Sequence, residues 1–381
     1  MGEAYGELEV LTCEKQAKPV AAMLIGQEGS GRHALMNDVA AQLNQRGGYV
    51  SVEAEQIRVR LPYYSQLDTD GQDIVRETRE DVQRVSDVVH QMAVDARRNI
   101  VVEAAQSTPE DSLRLAKDLL RSGYQVEVHA LSVNDQISYQ RATAMYEADR
   151  TEGRQGVYVS QTAHERGFKE SSDTLRRLEY AGAVDRVVVY NRLNDVVVDQ
   201  KPEPGKAVAA EAFERGRHQL TDFERINLAE RWDQIAESMA KRGANESAVV
   251  RVREPMERAH YTLRSSRDAA DNYDYRNPTE RNNSQEMADR YGHKLADAFK
   301  DNRRSDAQRY PELTQAFVRQ AQAEKIAESA NAVNQAASQV FVKTVSDKIA
   351  SGLRHGEELK PVRIADKAAE PAKVAELAEE R

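Results

Sequence analysis

A run of apolar residues, Val20 to Ile25, leads straight into Gly26-Gln-Glu-Gly-Ser-Gly31, and a segment of helical spacing follows. A buried strand, a glycine-rich turn and a helix in that order leave few folds open. The G-x-x-x-x-G spacing is that of a phosphate-binding P-loop, whose glycines let successive backbone N–H groups turn inward around an anion. The N-terminal end of the next helix adds its positive partial charge. The candidate phosphate-binding residues are Gly26, Gln27, Glu28, Gly29, Ser30, Gly31, Arg32 and His33.

The side chains at the end of the loop depart from the usual pattern. Lys is expected after the last glycine, then Ser or Thr; here stand Arg32 and His33. Arg32 keeps the charge in a larger, planar group. The usual hydroxyl ligates Mg²⁺, a hard cation that takes oxygen. His33 offers nitrogen instead, which suits softer metals, and it is also compatible with a solvent-facing helix start. Phosphate binding is therefore expected and Mg²⁺ positioning is in doubt; no metal-binding residue is assigned.

The rest of the first half repeats the alternation. Strand-like segments "YVSVEA", "NIVVEAA", "QVEVHALSV" and "DRVVVYNR" are separated by stretches of helical spacing. Helices between strands imply crossover connections and a parallel sheet. The predicted fold class is α/β, a P-loop kinase-like parallel sheet flanked by helices, followed by a mainly α-helical C-terminal region. The predicted organisation is an N-terminal arm (1–19), the α/β domain (20–199), a Pro/Gly-rich linker (200–207), a helical domain (208–358) and a disordered tail (359–381). In the helical part, Thr221-Asp-Phe-Glu224 fits a capping box. Pro311 fits a first helical position, and Phe341, Val345, Ile349 and Leu353 recur every four residues. Residues 271–284, polar throughout, are expected to be a loop, and Phe223, Trp232 and Tyr261 to be packing residues.

Composition narrows the functions. A net charge of -9 over 381 residues argues against whole-surface binding to nucleic acid or an anionic membrane. One cysteine excludes an intrachain disulfide framework and a cysteine metal cluster. No run reaches the ~18 apolar residues of a membrane span. The expectation is a cytoplasmic protein with no membrane segment and no clear nucleic-acid site.

Beyond the loop, "VEAEQIRVRLPYY", "NIVVEAAQST" and "AHERGFKESSDTLRRLEYAGAVDRVVVYNR" make the chain resemble the zeta toxin family over about half its length. Known members are P-loop kinases that phosphorylate UDP-N-acetylsugars with ATP. The resemblance implies ATP (or GTP) as cofactor and a nucleotide sugar such as UDP-N-acetylglucosamine as acceptor. It implies an antitoxin or other protein partner, met through the helical half. It places the general base at Glu55, where the family has Asp, and a catalytic charge at Arg32. Glu103, at the end of a buried strand, and Asp87, on a helix, match substrate contacts. Glu55 and Asp87 are equally compatible with a solvated surface.

Other family positions differ. Ala105 and Ser107 stand where Thr and Arg are expected, Met145 where a lid Arg precedes Tyr146, and Val157 or Tyr158 where a lid-loop Arg is expected. Arg141, Arg150 and Arg154 lie nearby as candidate substitutes, or as solvated residues. Phosphoryl transfer rests on positioning and charge stabilisation, so these changes predict weakened or lost catalysis. Residues 310–362 resemble, faintly, helical tails of plasmid-mobilisation relaxases. Three functions therefore stay open: an active kinase, a nucleotide binder that transfers phosphate poorly, and a non-catalytic scaffold or interaction protein of a plasmid or conjugative system.

Overall fold

The computed structural model describes residues 12–67, 74–103, 108–154, 156–330 and 335–362. Much of the expected arm, most of the expected tail, and Ala105 and Ser107 lie outside the described residues. The chain divides into two compact units, residues 1–255 and 256–381.

The first unit is built on a six-stranded sheet of order β2-β3-β1-β4-β5-β6. The strands are β1 (Val20–Ile25), β2 (Val50–Val52), β3 (Ile100–Glu103), β4 (Gln125–Leu131), β5 (Arg186–Tyr190) and β6 (Val196–Gln200). β1 lies centrally between β3 and β4, parallel to both, and every one of its residues is buried. That explains its unbroken apolar run, since parallel strands are covered on both faces. The β4–β5 pair is also parallel. The expected parallel sheet is present and carries one further edge strand: β6 pairs antiparallel with β5. It is an exposed edge strand reached through a tight turn. There Asn191 Oδ1 accepts the amides of Leu193 and Asp195, and Asn194 takes a φ of 64°.

The flanking helices of the sheet are α1 (Arg32–Asn44), α2 (Ala54–Arg58), α3 (Ile74–Glu77), α4 (Arg79–Asp95), α5 (Pro109–Arg121), α6 (Asp135–Thr151) and α7 (Gln161–Tyr180). Then come α8 (Val208–Arg217), α9 (Asp222–Lys241) and α10 (Glu246–Arg264). The division between the two compact units falls within α10. The Pro/Gly-rich segment connects β6 to a helix that packs into the sheet's own core. Ala209, Ala210 and Phe213 of α8 are fully buried with the sheet residues. The buried Glu179 carboxylate accepts the amides of Ala209 and Ala210 at 2.8 and 2.9 Å, satisfying the start of α8. The buried Arg217 guanidinium lies 3.3 Å from the centre of the Phe168 ring. α9 opens with the expected Thr221/Glu224 capping box. Trp232 is buried, whereas Phe223 is exposed (68%), which corrects its expected packing role.

The second unit is helical: α11 (Arg267–Asn272), α12 (Pro278–Lys300), α13 (Pro311–Ala330) and α14 (Gln335–His355) follow the end of α10. The expected loop at 271–284 is shorter, confined to 273–277. Asn277 caps α12 by accepting the Glu280 amide, and Pro278 takes the first helical position, so a polar stretch starts a long helix. Tyr261, Tyr291, Leu295, Phe299, Leu313, Ile349 and Leu353 form its core. Among the described residues no helix is long and apolar enough to cross a membrane.

Glu179→Ala is expected to lower the first unit's stability by about 1–3 kcal/mol, the cost of two buried amides left without an acceptor. Urea unfolding followed by fluorescence of the single Trp232 measures this. An unchanged midpoint would mean that α8 is not held by Glu179.

Candidate functional site

The loop between β1 and α1 is pinned from one side. Gln27 Nε2 donates to the Val133 carbonyl and to Ser138 Oγ, both at 2.9 Å. Ser138 Oγ in turn lies 2.9 Å from Nε2 of the buried His164 on α7. Gly29 has a φ of 73°, and a Cβ there would sit 1.9 Å from the Ser138 carbonyl oxygen. Only glycine allows the loop to approach α6 this closely. Gly31, φ 101°, is the residue from which α1 starts.

Within the turn, Ser30 N–H donates to the Gln27 carbonyl. Among the described residues, the amides of Gly29, Gly31, Arg32 and His33 have no hydrogen-bond partner. These residues border a cavity of about 580 Å³, whose wall also includes Arg58, Tyr64, Glu103, Arg141, Met145 and Arg231. Orphan amides at a helix start beside an open cavity form an anion site.

Arg32 does not extend into that cavity as a free charge. Its side chain is buried, its Nη1 donates to the Gly26 carbonyl, and its Nη2 lies 3.2 Å from Glu28 Oε1. Its Nε lies 3.5 Å from Glu103 Oε1. Burial works against the Arg32 charge, but Glu28 and Glu103 more than offset it and hold the guanidinium above its ordinary value. Burial likewise opposes ionisation of Glu28. The charges of Arg32 and Arg58 overcome it, so the carboxyl sits below its ordinary value. One cation thus spans two carboxylates across the mouth of the loop.

His33 is mostly exposed (65%), with Nδ1 3.7 Å from Glu53 Oε2. Glu53 is buried and accepts from Ser51 Oγ at 2.9 Å and Gln56 Nε2 at 2.6 Å. Among the described residues no group of three or more His, Cys, Asp or Glu could hold a metal ion. The residues do not fit Mg²⁺: a nitrogen replaces the hydroxyl, and Arg32 already engages Glu28 and Glu103. Glu55 lies in α2, two residues beyond Glu53; its side chain is outside the described residues.

A second cavity, of about 380 Å³, is lined by Arg79, Asp87, His90, Glu103 and Arg114. Glu103, at the C-terminal end of β3, borders both cavities. Asp87 is exposed and accepts from Gln83 Nε2 at 2.8 Å. Burial pushes the neighbouring His90 imidazole down to about 4, against the pull of Asp87, so it is neutral at pH 7.

The candidate arginines separate. Arg141 lines the first cavity, with Nη1 3.4 Å from the Ser30 carbonyl. Arg150 and Arg154 line neither cavity, and Arg154 pairs with Asp149 at 2.7 Å and with Glu152. Glu53, Arg58 and Arg231 are site residues that the sequence reading did not single out. Glu53 directly follows a buried strand, much as Glu103 ends one, and that signal could have found it. Buried Arg58, whose Nε donates to Thr78 Oγ1 at 2.9 Å, sits in a family-like stretch. Arg231 carries no local motif.

A family model described as Zeta toxin matches residues 6–202. Toxin PezT of Streptococcus pneumoniae serotype 4 is 23% identical over 186 residues, 48% of this chain and 73% of that protein. A solved structure from the PezAT chromosomal toxin–antitoxin system of the same species has a TM-score of 0.51 at 19% identity. It covers 62% of this chain and 94% of the other, a likeness of fold.

The Glu28 carboxyl, held low, contributes stability that is present above its ordinary value of 4.5 and lost as pH falls through its lower folded value. Glu28→Gln is therefore expected to flatten the acid limb of stability below about pH 4.5. Melting curves at graded pH check this; equal acid limbs in the two proteins would mean the pair is not linked to folding.

Proposed function

The chain belongs to the zeta toxin family, and from that membership we propose that it binds a nucleoside triphosphate on Gly26–His33 but transfers phosphate weakly or not at all. The nucleotide is ATP or GTP. The acceptor is a nucleotide sugar such as UDP-N-acetylglucosamine, held beside Glu103 and Asp87. In a residual reaction the terminal phosphoryl group passes from the triphosphate to a sugar hydroxyl. The nucleoside diphosphate leaves, and Glu55 takes the hydroxyl proton.

One contrast carries this reading. The loop keeps its unpartnered amides and an adjacent cavity of about 580 Å³, while its cation is spent on Gly26, Glu28 and Glu103. Ground-state binding to amides needs only the first. Stabilising a transferring phosphoryl group needs free positive charge, and losing one such group typically costs about 10²–10³ in rate. The protein partner in the name of the PezAT system supports an antitoxin for this chain as well, in a cytoplasmic setting.

Incubation with ATP, Mg²⁺ and UDP-N-acetylglucosamine, read by mass, is expected to give no phosphorylated sugar or only traces. ATP is nevertheless expected to raise the melting temperature, equally with Mg²⁺ or with a chelator, because binding to the folded state stabilises it. Turnover of about 1 s⁻¹ or faster, the ordinary kinase range, would overturn the weakened-transfer reading. Absence of nucleotide stabilisation would leave the scaffold reading. Arg32→Lys combined with His33→Thr is expected to raise sugar phosphorylation by about tenfold or more, by restoring a free cation and an oxygen ligand.

A further inference from the structure

Arg231 lies beyond the family-matched span 6–202, in a helix with no motif of its own, yet it lines the P-loop cavity. Its position is set by strong anchors on α9. The neighbouring Trp232 is buried and its ring lies 6.2 Å from that of Tyr139 on α6. Gln140 Nε2 donates to the Leu228 carbonyl at 2.5 Å. Just after α9, Arg242 makes a two-point contact with the buried Glu147 of α6, at 2.7 and 3.0 Å. A helix held at both ends and in the middle keeps Arg231 at the cavity wall.

The charges lining this cavity do not balance internally. Its acids are Glu28, Glu103 and Asp149. Glu28 and Glu103 are engaged by Arg32, and Asp149 by Arg154. Of the remaining cations in the wall, Arg58 donates to Thr78 Oγ1, and Arg141 and Arg231 face the same space. Among the described residues Arg231 has no ion pair or hydrogen bond, and Arg141 has only the long contact to the Ser30 carbonyl. Burial, then the charges of Arg231 and Arg192, hold the Arg141 guanidinium below its ordinary value; Glu224 pulls the other way but pairs with Arg192 at 2.6 Å. Two like charges at one cavity, opposite a row of unpartnered amides, describe a site for a polyanion.

We propose that Arg231 is a phosphate-binding residue supplied by the helical extension, and that with Arg141 it holds the outer phosphates of a nucleoside triphosphate against the P-loop amides. This rests on the nucleotide-binding reading above. The nucleotide site is then completed by α9, outside the part of the chain that carries the family signature. It supplies counter-charge for binding only; the loop's own cation, Arg32, stays engaged with Glu28 and Glu103.

Binding of ATP, ADP, AMP and inorganic triphosphate is measured by calorimetry on the full chain and on Arg231→Ala, Arg231→Lys, Arg141→Ala and Lys241→Ala. Lys241, exposed at the far end of α9, serves as the control. Arg231→Ala is expected to weaken ATP by about tenfold or more, AMP little, and to reduce the salt dependence of binding. Arg231→Lys is expected to recover part of the affinity, and Lys241→Ala to behave as the parent. Because Arg231 is exposed, the melting temperature without ligand is expected to stay unchanged. Inorganic triphosphate bound as tightly as ATP would assign the site to the phosphate chain rather than the nucleoside, still with Arg231 as its ligand. If the parent binds ATP and Arg231→Ala binds it equally well, this inference fails while nucleotide binding stands. If the parent binds none of these anions, both fail.

Discussion

The glycine-rich loop after β1 is fixed by a contact that only glycine permits. Gly29 passes so close to the Ser138 carbonyl that a single methyl group would overlap it. Gln27 then reaches across to the same turn of α6, and His164 supports Ser138 from α7. The loop is thus seated on the helix that also carries Arg141, and that helix in turn is clamped to α9 through Gln140 and Glu147. The helices that carry Arg141 and Arg231 are thus packed against each other and against the loop.

Within that frame, two opposing uses of charge meet. Arg32 stands in the usual lysine position but is drawn back onto the loop by Glu28 and Glu103. A buried cation paired with two carboxylates and bonded to a carbonyl would have to give up those contacts to turn to a phosphate. Glu28 is half of the cause, and it belongs to the loop itself. A carboxylate on the loop, paired with the cation, neutralises it. The same residues explain why the amide cradle and the transfer chemistry can be separated: the first is backbone, the second side chain.

The elements of the site differed in how far they could be foreseen. β1, its glycine loop and α1 follow from an apolar run, a spacing and a helical period, all local signals. Glu103 is legible because a carboxylate at the end of a buried strand has no place in a core. Glu53 obeys the same rule directly after β2 and was passed over in favour of Glu55, which the resemblance pointed to. The fold back of Arg32 is not written in its neighbours, because it depends on Glu103 from a distant strand. β6 is short and exposed, and its position just before a Pro/Gly-rich segment hid it. In that segment Pro202, Pro204 and Gly205 mark a turn, and nothing local shows that Glu179 captures the helix beyond it.

Capture of α8 has a consequence for the site as a whole. Once Glu179 and the Phe213 side chain bind α8 into the sheet's core, the chain is obliged to run on beside α6. The capping box at Thr221 then starts α9 against that helix, and burial of Trp232 sets its rotation. The residue before a buried tryptophan points about 100° away around the helix, which here places Arg231 at the cavity wall. A family-matched span that ends at 202 therefore does not mark the end of the packed core. Charge lost from the loop and charge gained from α9 are parts of one arrangement, made possible because the core does not stop where the recognisable sequence does.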